Sequence, residues 1–246
     1  MAELSALEVV RATYDPIHDI GTTLYLNQET MGRAGEWGWA NGFAFYFAGR
    51  AGVMGDVNGS AALSVMGWFN PDAVRSMYDE GVAVAGARGA AARMFEANAL
   101  WGRDHFSGVD LARFVELADK LVDGAETSGL PLFAGWRAHP RVDDVPGRAA
   151  QLFQVLREWR GANHLIGTTA VGLSPLEAIL TNEGEGQAKF FGWPEPYPDV
   201  SAMKALHGDA EDITDRLCAR QFEVLLTPAE RGDFAEGVAT ARAATN

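Results

Sequence analysis

His18-Asp19-Ile20-Gly21-Thr22-Thr23, near the start of the chain, returns in its second half as His164-Leu165-Ile166-Gly167-Thr168-Thr169. A repeated phrase that carries an imidazole is the pattern expected of two diverged helical units, each delivering one histidine to a shared place. A second match keeps the same order. Gly67-Trp68-Phe69-Asn70-Pro71 follows the first copy and Gly192-Trp193-Pro194-Glu195-Pro196 follows the second, both reading Gly-Trp-x-x-Pro. Around these phrases apolar residues recur at helical spacing, as in Leu4-Leu7-Val10 with Tyr14, Leu111-Phe114-Val115-Ala118-Leu121-Val122 and Leu152-Val155-Leu156-Trp159, whereas period-two alternation is almost absent. The reading is an all-α fold: a pseudo-symmetric bundle of two repeats sharing one core, the first unit over 1–140 and the second, with the C-terminal helices, over 141–246.

Helix starts are marked by chemistry. Ser174-Pro175-Leu176-Glu177 and Thr227-Pro228-Ala229-Glu230 each set a capping hydroxyl before a proline at the first helical position and a carboxylate able to reach back. Asn70-Pro71-Asp72 and Asp15-Pro16 follow the same logic of cap and proline, which predicts helices entered at those points. Gly, Pro and Asn gather in Gln28 to Gly42, Met54 to Ser60, Gly129 to Pro146 and Asn182 to Pro198, which read as loops.

Composition removes several function classes. The 246 residues are 48% hydrophobic, enough for a sizeable core without a disulfide, and Cys218 has no partner cysteine. The N-terminus lacks the basic-then-apolar order of a secretory leader, and the most apolar stretch, Phe43 to Val53, is broken by Gly49 and Arg50. A cytoplasmic protein outside the membrane is expected. Acidic residues number 33 against 20 basic, for a net charge of -13, with only Lys120, Lys189 and Lys204 as lysines. Such a field repels phosphate backbones, which argues against a nucleic-acid partner. No glycine pattern matches a phosphate cradle and no Gly-x-Ser-x-Gly elbow is present. His105, His139 and His207 read as isolated, and Asp143-Asp144 and Glu211-Asp212 as solvated positions.

The candidate site is built on the two repeated histidines. On a helix entered at Asp15-Pro16, His18 lies one turn from Asp15, whose carboxylate would fix its tautomer or raise its pKa. Arg160 and Thr168 flank His164 one turn away on either side, with Asn163 adjacent. Two imidazoles meeting at a central seam would suit axial ligation of a haem, two ligands of another metal ion, or a hydrogen-bonding pair around an organic ligand. Gly-Thr-Thr reads as packing: glycine lets helices approach, and the threonines bond back to carbonyls. Arg50, after the apolar run Phe43 to Gly49, requires a carboxylate partner from the protein or from a ligand. With Tyr14, Tyr46, Trp68 and Trp193 these residues make up the expected ligand-binding set, and His18 and His164 the candidate metal ligands.

Three stretches carry a family resemblance: Tyr14-Asp15-Pro16-Ile17-His18; Tyr46-Phe47-Ala48-Gly49-Arg50-Ala51 followed by Gly67-Trp68-Phe69-Asn70-Pro71; and Leu156-Arg157-Glu158-Trp159-Arg160-Gly161-Ala162-Asn163-His164. Through them the chain resembles a poorly characterised family of actinobacterial helical proteins described as helix-turn-helix or winged-helix proteins. Members carry Arg-Gly-Asp-Gly-His where this chain has Arg160-Gly161-Ala162-Asn163-His164, and a C-terminal winged helix that reads as shortened or lost here. The resemblance implies a helical fold and no particular reaction. The leading expectation is a helical protein that binds a small, largely apolar molecule or cofactor between the repeats. The alternatives are a transcriptional regulator or a degenerate relative of one, and a haem- or metal-dependent biosynthetic enzyme. A homo-oligomer is compatible with this composition.

Overall fold

The computed structural model describes residues 3–245, which form twelve α-helices and, among the described residues, no strand. In chain order the helices are α1 (Ala6–Leu26), α2 (Gln28–Glu36), α3 (Gly42–Ala51), α4 (Gly59–Met66), α5 (Pro71–His105), α6 (Ala112–Gly124), α7 (Pro131–Ala138), α8 (Val145–Ala170), α9 (Pro175–Asn182), α10 (Glu185–Phe190), α11 (Lys204–Leu225) and α12 (Pro228–Ala244). Short 3-10 turns occupy Gly52–Met54 and Ser201–Met203. The all-α expectation therefore holds.

The caps at Asn70, Ser174 and Thr227 sit where their chemistry placed them. Asn70 accepts from the amides of Asp72 and Ala73, while Ser174 with Glu177 and Thr227 with Glu230 close reciprocal capping boxes. Asp15-Pro16 is a correction. The helix is already capped by Ser5, which exchanges hydrogen bonds with Glu8, and it runs through Pro16 to Leu26. Pro16 deletes one backbone bond, but the buried stripe Val9, Val10, Thr13, Ile17, Ile20 and Leu24 holds both sides of it in one helix. Three expected loops also contain helices. Asn27 caps α2 despite Gly32 and Gly35, Pro131 opens α7, and α10 lies within 182–198.

Two helices form the centre. In α3 every residue from Ala44 to Ala51 is buried, and in α8 every residue from Ala149 to Leu156, the signature of helices surrounded on all sides. α3 lies along α5 because Gly81 has no side chain: a Cβ there would stand 2.1 Å from the Ala44 carbonyl oxygen. α5 is broken at Gly86, whose φ of 72° suits glycine. Its second half then runs along α8, where the Gln151 amide donates to the Phe95 carbonyl and Asn98 pairs with Gln154. One apolar core runs from Val9 on α1 to Ala241 on α12. The two histidine-bearing helices have different surroundings: α1 packs on α8, α11 and α12, and α8 on α1, α5, α6, α7 and α11.

Candidate functional site

α1, α3, α8, α9, α10 and the start of α11 enclose a cavity of about 400 Å³. Tyr14, His18 and Thr22 enter it from α1, Phe43, Tyr46 and Arg50 from α3, and Arg157, Arg160, Gly161 and His164 from α8. Trp68 and Phe69 from the loop before α5, Phe190 and Phe191 from the end of α10, and His207 from α11 complete the main walls. Six of the eight sequence-selected residues thus face one space: Tyr14, His18, Tyr46, Arg50, Trp68 and His164. Asn163 does not, because its buried amide donates to the Trp159 carbonyl of its own helix. Trp193 stands behind the wall, its indole N–H donating to the Trp68 carbonyl oxygen at 2.8 Å. The two Gly-Trp-x-x-Pro phrases therefore touch, and the Asn70 amide adds a bond to the Phe191 carbonyl.

The partner that Arg50 required is Glu158. The guanidinium grips it with two hydrogen bonds, Nε to Oε1 at 2.8 Å and Nη2 to Oε2 at 2.9 Å, and Nη1 donates to the Tyr46 hydroxyl at 2.8 Å. The Tyr25 hydroxyl donates to Glu158 Oε1 at 2.7 Å, and Arg157 Nη1 adds a longer bond to the same oxygen. Burial alone would raise the Glu158 pKa, but Arg50 and Arg157 outweigh it and hold the carboxyl below its ordinary range. Both partners of this ion pair are almost wholly sealed from solvent. Beyond it lies a second hollow of about 540 Å³ lined by Leu132, Leu165 and Ile166 among others, which shares Arg50, Trp68 and Gly161 with the first.

The two repeated histidines are held neutral. Burial, then the charge of Arg157, pushes His18 down to about 4; Asp15 does pull the pKa upward, as its spacing suggested, but is outweighed. His18 instead sets its ring against Tyr14. Burial likewise pushes His164 down to about 4, against the opposing pull of Glu211. Its Nδ1 lies 3.0 Å from the Thr214 hydroxyl, and its Nε2 3.5 Å from Glu211 Oε1. The glycines of the repeated phrase mark close approaches in both copies, Gly21 to Arg157 on α8 and Gly167 to Ala210 on α11. The threonines behave differently: Thr168 and Thr169 bond back to carbonyls, while the buried Thr22 hydroxyl has no protein partner.

His164, His207 and Glu211 each offer a ligand atom, all three within 4.8 Å of one another, and among the described residues they form the group able to hold a metal ion. His18 lies outside that group, so the expected pairing of His18 with His164 as metal ligands is not the one the fold assembles. His207, read as isolated, and Glu211, read as solvated, are one turn apart on α11 and partly buried. The signal available for them was the spacing itself, His and Glu at i and i+4 on a helix, though its link to His164 spans 43 positions. Arg157 and Arg160 were also missed as wall residues. Arg160 covers the Tyr14 ring at 3.5 Å and holds Glu211 Oε2 at 2.6 Å. The buried Nε atoms of both arginines lack a protein partner. Cys218 plays no part, since burial pushes its thiol up to about 12.

No helix among the described residues is long and apolar enough to cross a membrane. After Trp193 the described chain is helical, with α11 and α12 in place of any wing of strands. No curated protein and no solved structure matches the chain. A family model described as the helix-turn-helix family matches residues 9–199, most of the length and nearly all of the cavity wall. The chain therefore belongs to this helix-turn-helix family.

Proposed function

We propose that the protein binds a small, flat, largely apolar molecule carrying a hydrogen-bond-accepting or acidic group in the cavity between α1, α3 and α8. One observation carries this reading: Arg157, Arg160 and Thr22 line a cavity rich in aromatic and aliphatic side chains, and their buried Nε, Nε and Oγ1 atoms have no protein partner. Unmet buried donors cost roughly 1–3 kcal/mol each, and a ligand acceptor met by a turn of these side chains toward the cavity removes that cost. The charges support the same choice. Arg50 and Arg157 share the carboxylate of Glu158 and Arg160 is paired with Glu211, so three arginines line the cavity with Glu183 as the carboxylate among its lining residues. The cavity volume falls in the range of small-molecule sites.

Thermal shift and calorimetry with 1-naphthoate against 1-naphthamide test this reading. The acid is expected to raise Tm and bind one per chain, the amide to bind about tenfold or more weakly, and Arg157→Met to erase the difference. Equal behaviour of acid and amide, or no binding by either, would count against an acid-recognising cavity.

The family description favours a second reading, a ligand-responsive transcriptional regulator or a degenerate relative of one. The short helix pair α9 and α10 shows Glu177, Glu183 and Glu185 against Lys189, a poor match to the cationic face that tracks DNA phosphates. Anisotropy with a labelled duplex, repeated over a salt series, decides it: a regulator gives binding whose affinity falls steeply with salt.

A further inference from the structure

We propose that His164, His207 and Glu211 form a binding site for one divalent first-row transition-metal ion on the cavity wall. The proposal does not rest on the organic ligand considered above, although the two would share one cavity. Two imidazoles and one carboxylate are a donor set suited to zinc, iron, cobalt or nickel. Bonds of about 2.0–2.2 Å to a tetrahedral ion place neighbouring donor atoms roughly 3.3–3.5 Å apart. Here His164 Nε2 stands 3.5 Å and His207 Nε2 4.0 Å from the same Glu211 Oε1. Small rotations of side chains that are already turned together would close a three-ligand site.

The surroundings orient each ligand. The Thr214 hydroxyl donates its proton to the Ala210 carbonyl at 2.7 Å, so its oxygen is left to accept, and His164 Nδ1 at 3.0 Å must be the N–H donor. That assigns the tautomer in which Nε2 is bare and directed at Glu211, the arrangement in which a hydrogen bond at one ring nitrogen frees the other for a metal ion. Arg160 Nη2 holds Glu211 Oε2 at 2.6 Å, which leaves Oε1 as the ligand oxygen. His207 and Glu211 share one face of α11, one turn apart, so a single helix presents two of the three donors. Both histidines also line the cavity. An ion bound by three protein atoms would keep its remaining positions open toward that space, as catalytic rather than structural sites do.

The test uses the full chain stripped with chelator and titrated with Co²⁺, then with Zn²⁺ in competition. The expected result is one Co²⁺ per chain with visible ligand-field absorption, displaced by Zn²⁺, and a rise in Tm with either ion. His207→Gln and Glu211→Gln are expected to weaken binding by roughly 100-fold or more, and Thr214→Val by about 10-fold, while His105→Ala, remote from the cluster, leaves it unchanged. Circular dichroism of each variant separates lost ligation from lost folding, and His207→Gln, on a partly exposed side chain, is the variant least able to disturb the core. Absence of stoichiometric Co²⁺ uptake by the folded protein, or uptake that survives both His207→Gln and Glu211→Gln, overturns the proposal.

Discussion

Arg50 and Glu158 sit 108 positions apart in sequence and share the most enclosed charge pair of the wall. Their worth lies in mutual compensation more than in net stabilisation, since two desolvated ions recover in attraction about what they lose in hydration. Removing one is therefore far costlier than removing both. Glu158→Gln is expected to lower stability by about 3–5 kcal/mol, read as a shift of the urea midpoint, whereas Arg50→Met combined with Glu158→Leu should recover much of that loss. At this scale the sequence was half legible. An arginine after seven mostly apolar residues announces that it needs a carboxylate, but nothing local to Glu158 distinguishes it from Glu211, Glu183 or an acid on a ligand. Asn163 shows the converse failure, because adjacency to His164 in sequence turns a side chain to another side of a helix. The 100° step between helical neighbours decided its orientation.

Helix ends with a hydroxyl, a proline and a returning carboxylate were readable because the chemistry is contained within four residues. α2, α7 and α10 were not, since their glycines and prolines resemble loop composition and their helicity comes from packing on neighbours. Glycines on the central helices separate two effects that composition cannot. At Gly81 a methyl would meet the Ala44 carbonyl of α3, so Gly81→Ala must push α3 from α5. At Gly161 on α8 a Cβ meets nothing within 4 Å, so Gly161→Ala adds helix propensity of about 0.5–1 kcal/mol without a clash. Thermal unfolding of the two variants should move Tm in opposite directions.

Across the molecule, the all-α class followed from the missing period-two pattern and one helical repeat length, whereas which helices meet did not, because contacts among α1, α8 and α11 are settled by three-dimensional packing. The family match ends at residue 199, yet α11 and α12 beyond it bury Cys218, Phe222, Phe234 and Val238 in the same core. A chain ended after Asp199 is expected to lose cooperative unfolding and to bind a hydrophobic dye, because the faces of α1 and α8 that these helices cover would be bare. His207 and Glu211 fall in that added segment, so metal chemistry at this wall, where present, does not follow from family membership. The two hollows on either side of Arg50 carry a last implication. They share a partition of Arg50, Trp68 and Gly161, and within it the Arg50–Glu158 pair cannot be parted without leaving an unmatched ion in a greasy interior. A substitution at Arg50 therefore reshapes the lining of both hollows at once.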